Sequence, residues 1–181
     1  YNVMNINVDA PKNTAVGHSA LKVVVGSSHG LNTAVGYEAL RLNTANGNTA
    51  VGCYGLRCNN TGNFNTALGR SALLENTQGF ENTAIGMQAI RDNTTGNKNT
   101  AVGYRALVEC KHGSSNLALG FKALDAAAIE ASGCIVLNAT GGSFNPSDVS
   151  SNAFYVKPIR TASNSNALYY CLLYTSDAAD E

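Results

Sequence analysis

An internal repeat constrains this chain more than any other feature. The block N-T-A-V-G begins at Asn13, Asn32, Asn48 and Asn99, with N-T-A-L-G from Asn65, N-T-A-I-G from Asn82 and N-L-A-L-G from Asn116. The closing glycines, Gly17, Gly36, Gly52, Gly69, Gly86, Gly103 and Gly120, lie 19, 16, 17, 17, 17 and 17 residues apart. Self-similarity at a fixed short period marks a stacked array, because a unit of this size cannot bury its own apolar face. The sequence therefore predicts a mainly β solenoid or β-roll of about seven 17-residue coils.

Each unit divides into three. T-A-[VIL]-G is long enough for one rung of a stacked sheet. After the glycine comes x-x-A-L or x-x-A-I, as in Tyr37-Glu38-Ala39-Leu40 or Met87-Gln88-Ala89-Ile90. Its helix-forming residues allow one or two helical turns, and a second short strand is the alternative, since packing decides such short pieces. The third part is a turn such as Asn93-Thr94-Thr95-Gly96-Asn97, whose Asn and Gly accept left-handed backbone.

In register, Ala15, Ala34, Ala50, Ala67, Ala84, Ala101 and Ala118 form one ladder and the neighbouring Val/Leu/Ile residues another. Alternation along a strand sends the two to opposite faces. Alanine suits a narrow interior, and the larger residues need a covering surface, which a bundle of identical chains supplies. The Asn of each block, Asn13, Asn32, Asn48, Asn65, Asn82, Asn99 and Asn116, either stacks as an amide ladder or simply makes a turn. The recurring glycine allows close backbone approach or positive φ at a corner. These Asn and Gly positions are the structural sites the repeat defines.

Composition narrows the function. Lys plus Arg and Asp plus Glu are 12 each, so the net charge of zero gives no general reason to bind nucleic acid or an anionic membrane. Charged residues are 13% of the chain, against a usual ~25%, their place taken by Asn, Thr, Ser and Gly. No apolar run approaches the roughly 20 residues needed to span a bilayer.

The repeat array occupies 12–124, after an extended lead-in over 1–11. From Asp125 the pattern loosens. Residues 125–150 read as a degenerate last coil and loop, with 125–131 a short helix or modified coil. Cys134-Ile135-Val136-Leu137-Asn138-Ala139 is a degenerate rung whose Asn138 stands where a glycine would fall. Residues 151–170 include an extended segment, Ala153 to Arg160. Residues 171–181, C-L-L-Y-T-S-D-A-A-D-E, resemble the translation of a transposon-end adapter used in sequencing libraries. On that resemblance they are not native, and the chain is a fragment of a longer protein.

Chemistry-bearing residues form no familiar site. Besides Cys171, the cysteines Cys53, Cys58, Cys110 and Cys134 make no C-x-x-C pair, and zinc spacing with His18, His29 or His112 is absent. They read as ordinary substitutions at positions where other coils carry Ser, Leu or Glu. His29 and His112 sit in turns with no acid or nucleophile in a defined relation. Glu38, Glu75, Asp92 and Glu109 read as a solvated face. The glycines are single corners without a G-x-G-x-x-G or P-loop pattern. The expectation is no catalytic residue, cofactor or metal. Asn59, Asn93 and Asn138 match the N-x-S/T acceptor pattern, which chance alone produces in so Asn- and Thr-rich a chain. Tyr37, Tyr54, Tyr104 and Phe121 read as one place after the glycine, for packing within or between chains or for stacking carbohydrate.

The N-T-A-[VIL]-G-x-x-A-L block over about 12–124 resembles the head repeats of YadA-type trimeric autotransporter adhesins and related phage or viral tail-fibre proteins. The 17-residue period is longer than the usual head coil. Residues 151–170, with S-N-A-F-Y-V-K-P-I-R and N-A-L-Y-Y, resemble the region before an endosialidase-type intramolecular chaperone domain. The resemblance implies an extracellular homotrimer, a virion tail fibre or cell-surface appendage, that attaches to a glycan or protein receptor on a host or substratum without catalysis; this fragment itself is expected not to insert in a membrane. The alternative is an ice- or surface-binding β-solenoid presenting a Thr/Asn ladder, motivated by Thr14, Thr33, Thr49, Thr66, Thr83 and Thr100.

Overall fold

The computed structural model describes residues 12–23, 30–125, 130–139 and 150–157. It is an all-β solenoid with one strand per coil. The strands are β1 (Thr14–Val16), β2 (Thr33–Val35), β3 (Thr49–Val51), β4 (Thr66–Leu68), β5 (Thr83–Ile85), β6 (Thr100–Val102), β7 (Leu117–Gly120), β8 (Ile135–Asn138) and β9 (Phe154–Lys157). They form one parallel sheet in chain order. Register follows the repeat throughout, Thr on Thr and Ala on Ala, as in Thr66↔Thr83, Ala67↔Ala84 and Leu68↔Ile85. The degenerate rung is β8, with Asn138 paired to Gly120 as its spacing predicts. The extended segment near residue 153 supplies β9. Nine rungs at ~4.8 Å give a sheet about 38 Å long.

The core is narrow, which explains its composition. The strand alanines Ala34, Ala50, Ala67, Ala84, Ala101 and Ala118 point inward and are fully buried. They meet a second column, Leu21, Leu40, Leu56, Leu73, Ile90, Leu107 and Leu124, from the x-x-A-L segments, also buried. Over β2 to β7 alanine fills the strand column opposite a leucine or isoleucine from each coil, at the density of a close-packed interior, and Val136 and Tyr155 continue the column in β8 and β9.

The x-x-A-L segment is neither the helical turn nor the second strand expected. Among the described residues there is no helix, and this segment is a succession of tight turns. Its second and fourth residues take positive φ, as in Gln88 (61°) and Ile90 (49°). Alternate N–H groups then point to opposite neighbours. Gln88 N–H donates to Arg70 O in the coil before, and Ile90 N–H to Ala106 O in the coil after. An i→i−4 helix would turn those donors onto its own axis. Stacking satisfies them between coils instead, and so overrides the helix preference of Ala and Leu.

Candidate functional site

Four columns of side chains bind each coil to the next. In the first, the Asn of the repeat block is buried and spans two jobs. Its Oδ1 accepts the backbone N–H of the Asn one coil on, as Asn82 Oδ1 does from Asn99 at 2.9 Å. Its Nδ2 donates to a turn carbonyl, Asn82 Nδ2 to Gly96 O at 2.8 Å. The same pair of bonds recurs at Asn48 and Asn65. The ladder is thus mainly side chain to backbone. Direct amide-to-amide bonds join Asn32 to Asn13, Asn65 to Asn48 and Asn116 to Asn99.

The second column was hidden in the sequence. Asn43, Asn59, Asn76 and Asn93 each lie seven residues after a corner glycine. Here the amides do bond one another, Asn59 Nδ2 to Asn43 Oδ1, Asn76 to Asn59 and Asn93 to Asn76, at 2.6–2.7 Å. All four also donate to a carbonyl of their own turn, Asn43 to Ala45 O and the others to Gly62, Gly79 and Gly96 O. A third column, Asn46, Asn63, Asn97, Ser114, Ser132 and Ser151, accepts backbone N–H groups from the coil before. In the fourth, the hydroxyls of Thr44, Thr77 and Thr94 donate to the carbonyl at the same place one coil on. The signal for all of them was the same 17-residue period that revealed the glycines.

The corner glycines do both things expected of them. Their φ lies between 113° and 134°. A Cβ at Gly69 would stand 2.6 Å from Gly86 O.

Two cysteines are reassigned by this geometry. Cys110 occupies the second Asn column and Cys134 the first, not places where other coils carry Ser, Leu or Glu. Cys134 keeps the backbone bond, its N–H donating to Asn116 Oδ1, and its Sγ stands 3.0 Å from Ser150 O as a weak substitute for the amide donor. Cys110 offers no amide, so Asn93 Oδ1 is buried without a partner. Burial pushes the Cys110 thiol up to about 11, so it is a poor nucleophile as well as a poor donor. Cys110→Asn restores a donor to Asn93 Oδ1 and a bond to Gly113 O. We expect it to raise stability by about 1 kcal/mol, read as a higher urea midpoint by circular dichroism.

Glu38 is not simply solvated: it lies 2.7 Å from Arg57 Nε and 3.8 Å from Arg41 Nε, with its side chain 13% exposed. Asp92 pairs with Arg91 and Glu109 with Arg105, whereas Glu75 is exposed. His112 is exposed, its Nδ1 beside the Thr94 and Thr95 hydroxyls. His29 lies outside the described residues. Asn59, Asn93 and Asn138 are buried, so none of these N-x-S/T matches offers an accessible amide. Tyr54 sits one place later than Tyr37, Tyr104 and Phe121. Tyr37 stacks on His18 and Tyr104 on Phe121, while Tyr54 meets Tyr37 edge-on. Among the described residues no group of three or more His, Cys, Asp or Glu could hold a metal ion, and no helix is long and apolar enough to cross a membrane.

What remains is the outer face of the sheet. Thr and Val/Leu/Ile alternate with the buried alanines and therefore point outward. The Thr column is half-buried over β2 to β6. Val16, Leu68, Ile85 and Val102 are exposed, by 57%, 46%, 37% and 36%. Neither column carries a charge between β1 and β8. No family model, curated protein or solved structure matches this chain. The case for function accordingly rests on this face and on the repeat itself.

Proposed function

We propose that the chain is a structural and adhesive segment of an extracellular homotrimeric fibre, of the kind the N-T-A-[VIL]-G block resembles. The outer sheet face carries this reading. A solenoid whose interior is already closed leaves an uncharged strip of threonine and aliphatic side chains in solvent, which favours an interaction surface. With strands of only three or four residues the strip is about 38 Å by roughly 10–13 Å, on the order of 400–500 Å², about half the ~800 Å² per partner of a standard interface, so the flanking turns would supply the rest of the contact. Identical chains side by side repeat every contact at every rung, and the resemblance favours three of them.

In that arrangement the other faces, with their turns, aromatic stacks and ion pairs, stay free for weak multivalent contact with a glycan or protein receptor. No catalytic step is assigned to the chain. Sedimentation equilibrium of the 181-residue chain tests the reading. The expected mass is three times the 18.8 kDa of one chain, and a folded monomer at high concentration would refute it.

A second reading draws on one observation. The threonines lie in register on the outer face, as an ice- or surface-binding array requires. The Asn half of that array is internal, which leaves one hydroxyl per rung beside an aliphatic column. Both readings use the same face, so a trimer that buries it and a thermal-hysteresis activity that exposes it exclude each other.

A further inference from the structure

The outer face changes character along its length. Over β1 to β6 its first outward position is always Thr, at Thr14, Thr33, Thr49, Thr66, Thr83 and Thr100. In the last three rungs the same position holds Leu117, Ile135 and Phe154, in direct register with those threonines and with one another. The second outward column continues beside it as Leu119, Leu137 and Val156. Ile135 is 42% and Phe154 55% exposed, so the substitution enlarges the solvent-facing apolar surface rather than the core.

The geometry points to these last three rungs as the lock of the assembly, the place where identical chains grip one another, with the threonine-bearing rungs aligned by it. This inference rests on the reading of the face as the seat of a homotrimer. Three observations carry it. The first outward position carries larger, wholly apolar side chains here, with Ile135 and Phe154 exposed, and burying them removes more apolar surface from water than burying threonine does. The threonine rungs are nearly alike, so a slip by one coil costs them little. A lock of unlike side chains, Leu, Ile and Phe, meets its own kind in one register only, and it removes that degeneracy. Finally, these rungs fall where the internal ladders weaken. The second column loses its amide at Cys110 and the first at Cys134, while the corner glycine gives way to Asn138. Contacts between chains would hold together coils whose own stitching is weakest.

Exchanging the two kinds of rung tests this without disturbing the core. Leu117→Thr, Ile135→Thr and Phe154→Thr together install the residue that six sister rungs already carry. Thr49→Ile, Thr66→Ile and Thr83→Ile make the reciprocal change. Self-association of each full chain is measured by sedimentation equilibrium, with far-ultraviolet circular dichroism to confirm the solenoid. The first variant is expected to loosen the trimer by about a hundredfold or more, and the second to tighten it while leaving its mass at three chains. If the parent is trimeric and the threonine variant associates as tightly as it does, the lock is wrong and the fibre reading stands. A monomeric parent chain would remove both.

Discussion

Replacing Gly86 with alanine should cost a large share of the stability of the solenoid. Gly86 holds φ at 126°, and a Cβ there would lie 2.5 Å from Gly103 O and 2.7 Å from Gly103 C. Neither obstacle can move alone, because the next coil's glycine is under the same constraint from its own neighbour. The backbone conformation costs about 1–3 kcal/mol for an L residue. Forcing a methyl against a carbonyl in a close-packed column adds about 1–3 kcal/mol. Against a typical total of roughly 5–15 kcal/mol, that is a large share. Gly55 supplies the contrast. It stands where other coils carry Ala39, Ala72, Ala89 and Ala106, and an added Cβ meets only ordinary contacts, 3.4 Å from Ala50 Cβ and 3.6 Å from Gly52 O. Gly55→Ala should therefore stabilise by about 0.4–1 kcal/mol, chiefly by restricting the unfolded chain. Denaturation midpoints of the two variants should move in opposite directions. Equal and small shifts would show that the corner column tolerates a side chain.

The two glycines also show which parts of this fold can be read in a sequence. Gly86 recurs with an alanine always two places before it, so its period gives both the rung and the corner. The buried Ala84 and the outward Ile85 follow from alternation alone. The conformation of Met87-Gln88-Ala89-Ile90 does not, because local preference favours a helix there. The decisive hydrogen bonds run to Arg70 and Ala106, some 17 residues away in each direction. Ile90 makes the point sharply: a β-branched residue at φ 49° is locally disfavoured, and its buried place in the leucine column decides the matter. The second Asn column was legible in principle, since Asn59, Asn76 and Asn93 keep the 17-residue spacing. It was obscured because a turn segment rich in Asn has a sufficient local explanation. The break in that column at Cys110 was unreadable for the same reason: a fault shows only when the column is known.

Asn82 offers the other large effect, and one that pH can reverse. Asn82→Ala removes the acceptor of the buried Asn99 N–H and one of the two donors to Gly96 O, leaving that N–H without a partner where water does not reach. A loss of roughly 2–4 kcal/mol is expected, larger than for deleting an exposed bond. Asn82→Asp is more informative because its shape is the same. The Oδ1 still accepts from Asn99, but the second oxygen now faces Gly96 O, and an ionised carboxylate there meets a carbonyl instead of offering a proton. Burial and that carbonyl both disfavour the charged form, so the folded-state pKa is raised above the unfolded value of about 3.9. A group with a raised folded pKa contributes its stability in full below the unfolded pKa and loses it as pH rises toward the folded one. Once protonated, the introduced carboxyl can donate to Gly96 O as the amide did. The variant should therefore approach the parent chain in urea midpoint below about pH 4 and fall away from it toward neutrality, while Asn82→Ala stays low at both. If the aspartate variant were as stable at neutral pH as the parent, the buried amide would be filling space rather than joining coils, and the ladder would not be what holds the array together.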